Sequence, residues 1–208
     1  AIAVPGDMSD WESAGGVIDA FAAEHGALDG LVSNAGIFYE RLAWEDDGES
    51  VERLITTNVL GAFFGGLHAM KVMVPRGSGS IVNVVSGAQI GLRRAAAYGA
   101  SKGAVASMTY SWALDLQHTG VRVNGVSPLA RTGMGTHRVV VRPSSRPPLP
   151  PPEHVAPLVT YMLSDRSIGL MGQIVRLEGP QLTIMRHPSI PEVHVSREEW
   201  SVDDIADA

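Results

Sequence analysis

The 208-residue chain is 45% hydrophobic and 18% charged, a composition that suits a single globular domain with a core of its own. A formal net charge of −6 with no dense Lys/Arg run argues against a nucleic-acid surface, and no apolar stretch approaches the ~20 residues that span a bilayer. With no cysteine there is neither a disulfide framework nor a thiolate metal site, and the seven histidines are scattered without a ligand-like pair, so no metal is expected. These features predict a cytoplasmic protein whose partner is a small molecule.

In chain order, short β-branched apolar runs stand at AIAV, LDGLVS, GSIVNVVS, VRVNGVS and GQIVRLEG, with helically spaced segments between most of them. The βαβα alternation, in runs apolar on both faces, predicts an α/β fold with a doubly wound parallel sheet of Rossmann type, covered by helices on two sides. After the first run, SDWESAGGVIDAFAAEHG predicts a helix capped by Ser9 with Glu12 three residues on, packing Val17, Ile18 and Phe21 on one face and stopping at Gly26. Further on, AYGASKGAVASMTYSWALDLQHTG predicts a long helix closed at Gly120, whose small residues suit close packing against another subunit. The proline-rich stretch 138–152 breaks the pattern and reads as an extended loop beside a site, with a polyproline ligand for an adaptor domain as the other reading. The tail 180–208 reads as a strap followed by a short acidic helix, and residues 1–208 are read as one domain.

The polar residues fall at the carboxyl ends of the runs. SNAG, Ser33 to Gly36, follows the second run, Ser86 ends the third, and Ser127 and Pro128 end the fourth. Ligands of open parallel sheets lie in the crevice outside those ends, so three distant stretches converge on one place. There YGASK sets Tyr98 and Lys102 four apart near a helix start, on one face and one turn from each other. A free phenol titrates near ~10 and is a poor base at neutral pH, but an adjacent ammonium favours the phenolate. A hydroxyl from Ser86 beside that phenol suits a substrate carbonyl. Taken singly, a Tyr/Lys pair is usually a solvated helix face, NAG a turn, Asn58 a helix-surface amide and SPLART a proline turn. Their order and spacing together are what those readings leave unexplained.

SNAGI, NVLGAFF, IVNVVSG, YGASKGAV and RVNGVSP, in that order, resemble the short-chain dehydrogenase/reductase family over about Asp7 to Gly179. The resemblance implies a catalytic set of Asn58, Ser86, Tyr98 and Lys102. In it Tyr98 transfers the proton, Ser86 orients the carbonyl, Lys102 lowers the tyrosine pKa and holds the nicotinamide ribose, and Asn58 holds a water linking lysine to solvent. It implies cofactor contacts at Asp7 and Met8 for the adenine, at Asn34, Ala35 and Gly36, and at Pro128 and Thr132 near the nicotinamide. The implied cofactor is NAD or NADP, the implied substrate a small secondary alcohol or ketone, and the implied assembly of the full-length form a homo-oligomer, dimer or tetramer. SPLARTGM and PPPEHVAPLVTYMLSDRS are further similar to a bacterial branch related to hydroxyacyl-CoA dehydrogenase domains.

By the same resemblance AIAVPGDM is the third strand of the family, and the first two strands with their glycine-rich pyrophosphate turn are missing. In the order 3-2-1-4-5-6 that loss isolates the third strand and leaves the fourth with an open edge. The expectation for the 208 residues alone is low stability and little cofactor binding. The alternative function is a truncated non-catalytic remnant serving as an interaction or oligomerisation module.

Overall fold

The computed structural model describes residues 2–132, 149–190 and 197–207. One sheet runs in the order β1-β2-β3-β4-β5, with β1 (Gly30–Ser33), β2 (Gly79–Val84), β3 (Val121–Leu129) and β4 (Ile174–Glu178) parallel and β5 (Gln181–Met185) antiparallel against β4. Helices α1 (Trp11–His25), α2 (Gly48–Ile55), α3 (Gly61–Arg76), α4 (Ala96–Asp115), α5 (Ala156–Leu163) and α6 (Val202–Ala206) complete the described elements.

Alternation along β2 explains the two layers. Ile81 enters a core built with Ile18 of α1, Met73 of α3, Val105 and Trp112 of α4 and Val123 of β3. Its neighbour Val82 enters a second core with Val126 of β3, Leu158 and Met162 of α5 and Val175 of β4. The strand is thus buried on both faces, and each of its buried apolar side chains contributes about 1.5–3 kcal/mol.

Several expectations are corrected. The described part of AIAV, residues 2–4, is not a strand: among the described residues it pairs with no other segment, and Ile2 and Val4 are 63% and 45% exposed. A β-branched run becomes a strand only where a neighbour offers its own N–H and C=O groups. Strand β1 has β2 on one side and no strand on the other among the described residues. The N-cap of α1 is Asp10, which accepts from the Ser13 N–H (2.8 Å), while the Ser9 hydroxyl donates to Asp7. The buried face of α1 is Ala14, Gly15 and Ile18, while Phe21 lies outside against His25, and Gly26 ends the helix. Helix α4 closes at Asp115, five residues before Gly120, with a turn between.

The tail holds an element that the sequence reading does not contain. Gly179, at φ 55°, and Pro180 form a two-residue turn that folds β5 back onto β4, pairing Glu178 with Gln181. Residues 138–148 of the proline-rich stretch lie outside the described residues, as do 133–137 and 191–196; Pro152 opens a 3-10 turn, Pro152–His154, that leads into α5.

Gly120 gives the fold its sharpest single-residue constraint. Its φ is 77°, and a Cβ there would be driven into the Gly77 carbonyl, which is backbone and cannot swing away. Gly120→Ala is expected to destabilise the fold by about 3 kcal/mol, read as a lower urea midpoint at unchanged slope.

Candidate active site

The loops after β1, β2 and β3 leave the carboxyl ends of those strands, beside the start of α4 and the junction of α2 with α3. Helix α2 passes into α3 through one π-helical turn, Thr56–Leu60, which buries Asn58 to 1% exposure. Such turns often mark functional positions because the widened ladder re-aims side chains. Asn58 Oδ1 accepts the Ile37 N–H (2.7 Å), and Nδ2 donates to the Ile37 carbonyl (2.9 Å) and to Ser101 Oγ (3.1 Å). Ser101 in turn donates to the Tyr98 carbonyl at 2.8 Å. One amide therefore ties the loop after β1 to the first turn of α4.

Lys102 is 5% exposed and donates to the Val84 carbonyl at the end of β2 (2.7 Å). Its Nζ lies 5.9 Å from the centre of the Tyr98 ring. Burial pushes the Lys102 pKa down to about 8, since a low-dielectric surrounding disfavours the ammonium. Gly36 closes the group: a Cβ on it would stand 3.1 Å from Asn58 Oδ1 and 3.8 Å from Lys102 Nζ.

Ser86 heads the 3-10 turn Gly87–Ile90, where its Oγ accepts the Ala88 N–H at 3.2 Å. Acting as acceptor leaves the hydroxyl proton available to a substrate oxygen. The Ala88 carbonyl is 2.9 Å from where a Cβ of Gly99 would stand, so only glycine lets the first turn of α4 approach the Ser86 turn this closely. Nearby, Arg176 of β4 donates to Ser127 Oγ (3.3 Å) and Glu178 (2.8 Å), and its Nη1 lies 2.6 Å from the Cβ position of Gly87.

The structure thus brings Gly36, Asn58, Tyr98 and Lys102 together, with Ser86 on an adjoining turn and exposed Asn34 and Ala35 on the same loop as Gly36. Pro128 is the penultimate residue of β3, opposite Leu177, and Thr132 is exposed three residues past that strand. Asp7 stands on the turn before α1, where its carboxylate accepts from the Ser9 backbone and hydroxyl (2.8 and 2.7 Å) and is held below the usual carboxylate range by those bonds. Met8 packs on α3, its Cε 3.0 Å from a Cβ position on Gly65. Sequence reasoning missed Phe38, whose ring meets Tyr98 edge to face at 4.9 Å, as well as Ser101 and Arg176. Ser101 carried a signal, a hydroxyl three residues after Tyr98 inside YGASK, while Phe38 sits in a loop without periodicity. Among the described residues no helix is long and apolar enough to cross a membrane, and no group of three or more His, Cys, Asp or Glu is placed to hold a metal.

A parallel sheet with its polar residues at the carboxyl ends defines a Rossmann-type α/β protein, and the comparisons make the class specific. The family model for short chain dehydrogenases matches residues 1–138. The cis-4-hydroxycyclohexanecarboxylate dehydrogenase of Sinomonas cyclohexanicum is 35% identical over 195 residues, covering 86% of this chain and 76% of that protein. The 2-(S)-hydroxypropyl-CoM dehydrogenase 3 of Xanthobacter autotrophicus is 34% identical over 173 residues, covering 76% of this chain and 68% of that protein. A crystal structure of a short chain dehydrogenase from Mycobacterium avium superposes with a TM-score of 0.86 at 27% identity, covering 100% of this chain and 73% of that one. The chain belongs to the short-chain dehydrogenase family and is an oxidoreductase.

Proposed function

We propose that the protein interconverts a secondary alcohol and a ketone with NAD or NADP, Tyr98 serving as general acid/base. The observation that carries the reading is the pairing of Tyr98 with a nearly buried Lys102 beside Gly36 and Asn58. When bound, a nicotinamide supplies the acceptor or donor of the hydride. Lys102 fits such a group. Its ammonium has three N–H donors, and the Val84 carbonyl takes one, leaving two for a ribose diol.

The remaining steps belong to the chain. In the oxidation direction Tyr98 takes the alcohol proton at its phenolate oxygen, aided by the adjacent ammonium, while Ser86 donates to the same substrate oxygen and fixes its direction. Asn58 holds the loop carrying Asn34, Ala35 and Gly36 against this pair. Relatives named for cis-4-hydroxycyclohexanecarboxylate and cyclopentanol support a ring-bearing secondary alcohol as substrate.

The test offers cyclopentanol and cis-4-hydroxycyclohexanecarboxylate with NAD+ and NADP+ and follows the absorbance of the reduced nicotinamide. Turnover of a secondary but not a primary alcohol is expected. Absence of turnover with either cofactor, in protein that melts cooperatively, would oppose the reading.

A further inference from the structure

The loop after β1 does more than carry Gly36. Its next residues run against the approach to α4: the Arg41 N–H donates to the Arg94 carbonyl (2.7 Å), and Arg41 pairs with Ala95 in an isolated parallel bridge. The Arg41 guanidinium is held by Asp46 and Asp47, and the Tyr39 hydroxyl donates to Asp46 at 2.9 Å. Burial first, and then that bond, push the Tyr39 phenol up to about 12. At the other end of the loop, Asn58 grips both backbone groups of Ile37. Phe38 is suspended between these two anchors, and its ring stands nearly perpendicular to that of Tyr98, at 83° and 4.9 Å.

The placement has a purpose a core residue would not need. Tyr98 lies in the first turn of α4, its ring between Phe38 and the Lys102 ammonium, 4.9 Å from the Phe38 ring and 5.9 Å from Lys102 Nζ. Ser101 holds the backbone of that residue through its carbonyl, whereas Phe38 meets the ring itself. Proton transfer requires the phenol oxygen within hydrogen-bond reach of the substrate, and a displacement of about 1 Å costs on the order of a hundred-fold in rate. An edge-to-face aromatic contact has a preferred geometry and adds to the area it buries a directional attraction that an aliphatic side chain of similar volume lacks.

We propose that Phe38 is the positioning residue for the Tyr98 ring, held in place by the Arg41–Asp46–Asp47 strap on one side and Asn58 on the other. The inference rests on the reading of Tyr98 as the acid/base group. It extends that reading by giving the loop after β1 a part in the proton transfer.

The first readout needs no substrate. In full-length protein labelled with 3-fluorotyrosine, the Tyr98 fluorine resonance is the one lost in Tyr98→Phe. The two flip states of a held ring give separate lines in the parent and in Phe38→Tyr, and Phe38→Leu merges them into one averaged line. With cyclopentanol and the better of the two cofactors, Phe38→Leu is expected to lower kcat at least about ten-fold with KM changed less than about two-fold, and Phe38→Tyr to restore kcat. Unaltered Tyr98 lines in Phe38→Leu, or a loss of kcat matched by loss of folded protein, would overturn the inference. An inactive Tyr98→Phe beside a fully active Phe38→Leu sinks only the role of Phe38. A fully active Tyr98→Phe sinks the acid/base reading and this inference together.

Discussion

Tyr98→Phe is expected to lower turnover by about 10²–10⁴-fold while leaving the fold intact. The substitution keeps the ring that meets Phe38 and the carbonyl that accepts from Ser101, and removes only the phenol oxygen. Packing is therefore held constant while the proton-transfer group is deleted. Without it, alkoxide character develops in the transition state with Ser86 alone to balance it, and a hydroxyl that donates to the reacting oxygen cannot also take its proton. Initial rates of alcohol oxidation, set beside a thermal melt, make the comparison. A melt unchanged within a degree or two (about 0.5 kcal/mol) with rates reduced as stated is the expected pair of results. Rates within about three-fold of the parent would mean another group moves the proton.

The second large effect is at Lys102. Lys102→Met keeps the length and volume of the stem and removes the charge. Turnover is expected to fall at least about a hundred-fold, because the phenolate loses its adjacent ammonium and the ribose its donors. Stability should respond in the opposite sense. The folded-state pKa of about 8 lies below the unfolded value near 10.5, so below pH 8 the residue is charged in both states and the full cost of burying it is present. Between about pH 8 and 10.5 the folded state has released the proton and the unfolded state retains it; unfolding then takes up a proton, and stability rises with pH by about 3 kcal/mol. Lys102→Met should abolish that rise. Urea midpoints across the alkaline range test this, and a variant with the same alkaline slope as the parent would assign the slope to other groups.

Much of the sheet could be read from residue pattern alone, because burial on both faces leaves a signature that β2 shows in full: Ile81 and Val82 feed opposite cores. The convergence of Asn34–Gly36, Ser86 and Ser127–Pro128 followed from one rule about strand ends, and needs no knowledge of distance. What pattern could not supply was whether a run finds a neighbour. AIAV has strand composition, yet its residues 2–4 pair with no described segment, whereas QLTIM became β5 because Gly179 and Pro180 turn it back on β4. Capping went astray by one residue, since Ser9 and Asp10 are both good caps and residue type alone does not choose between them. At the site, short-range motifs carried Tyr98 and Lys102. Phe38, which meets the Tyr98 ring, and the bonds from Asn58 to Ile37 and Ser101 come from segments distant in sequence, whose contacts no local spacing encodes.

The central claim, hydride exchange between a carbinol carbon and a nicotinamide with Tyr98 handling the proton, is tested most directly by isotope transfer. Cyclopentanol carrying deuterium on the carbinol carbon would be oxidised in ordinary water, and the reduced nicotinamide examined by NMR at C4. The account predicts deuterium on one face of C4, with the hydroxyl proton lost to solvent. Reduced nicotinamide without deuterium, or deuterium washed into water, would contradict it.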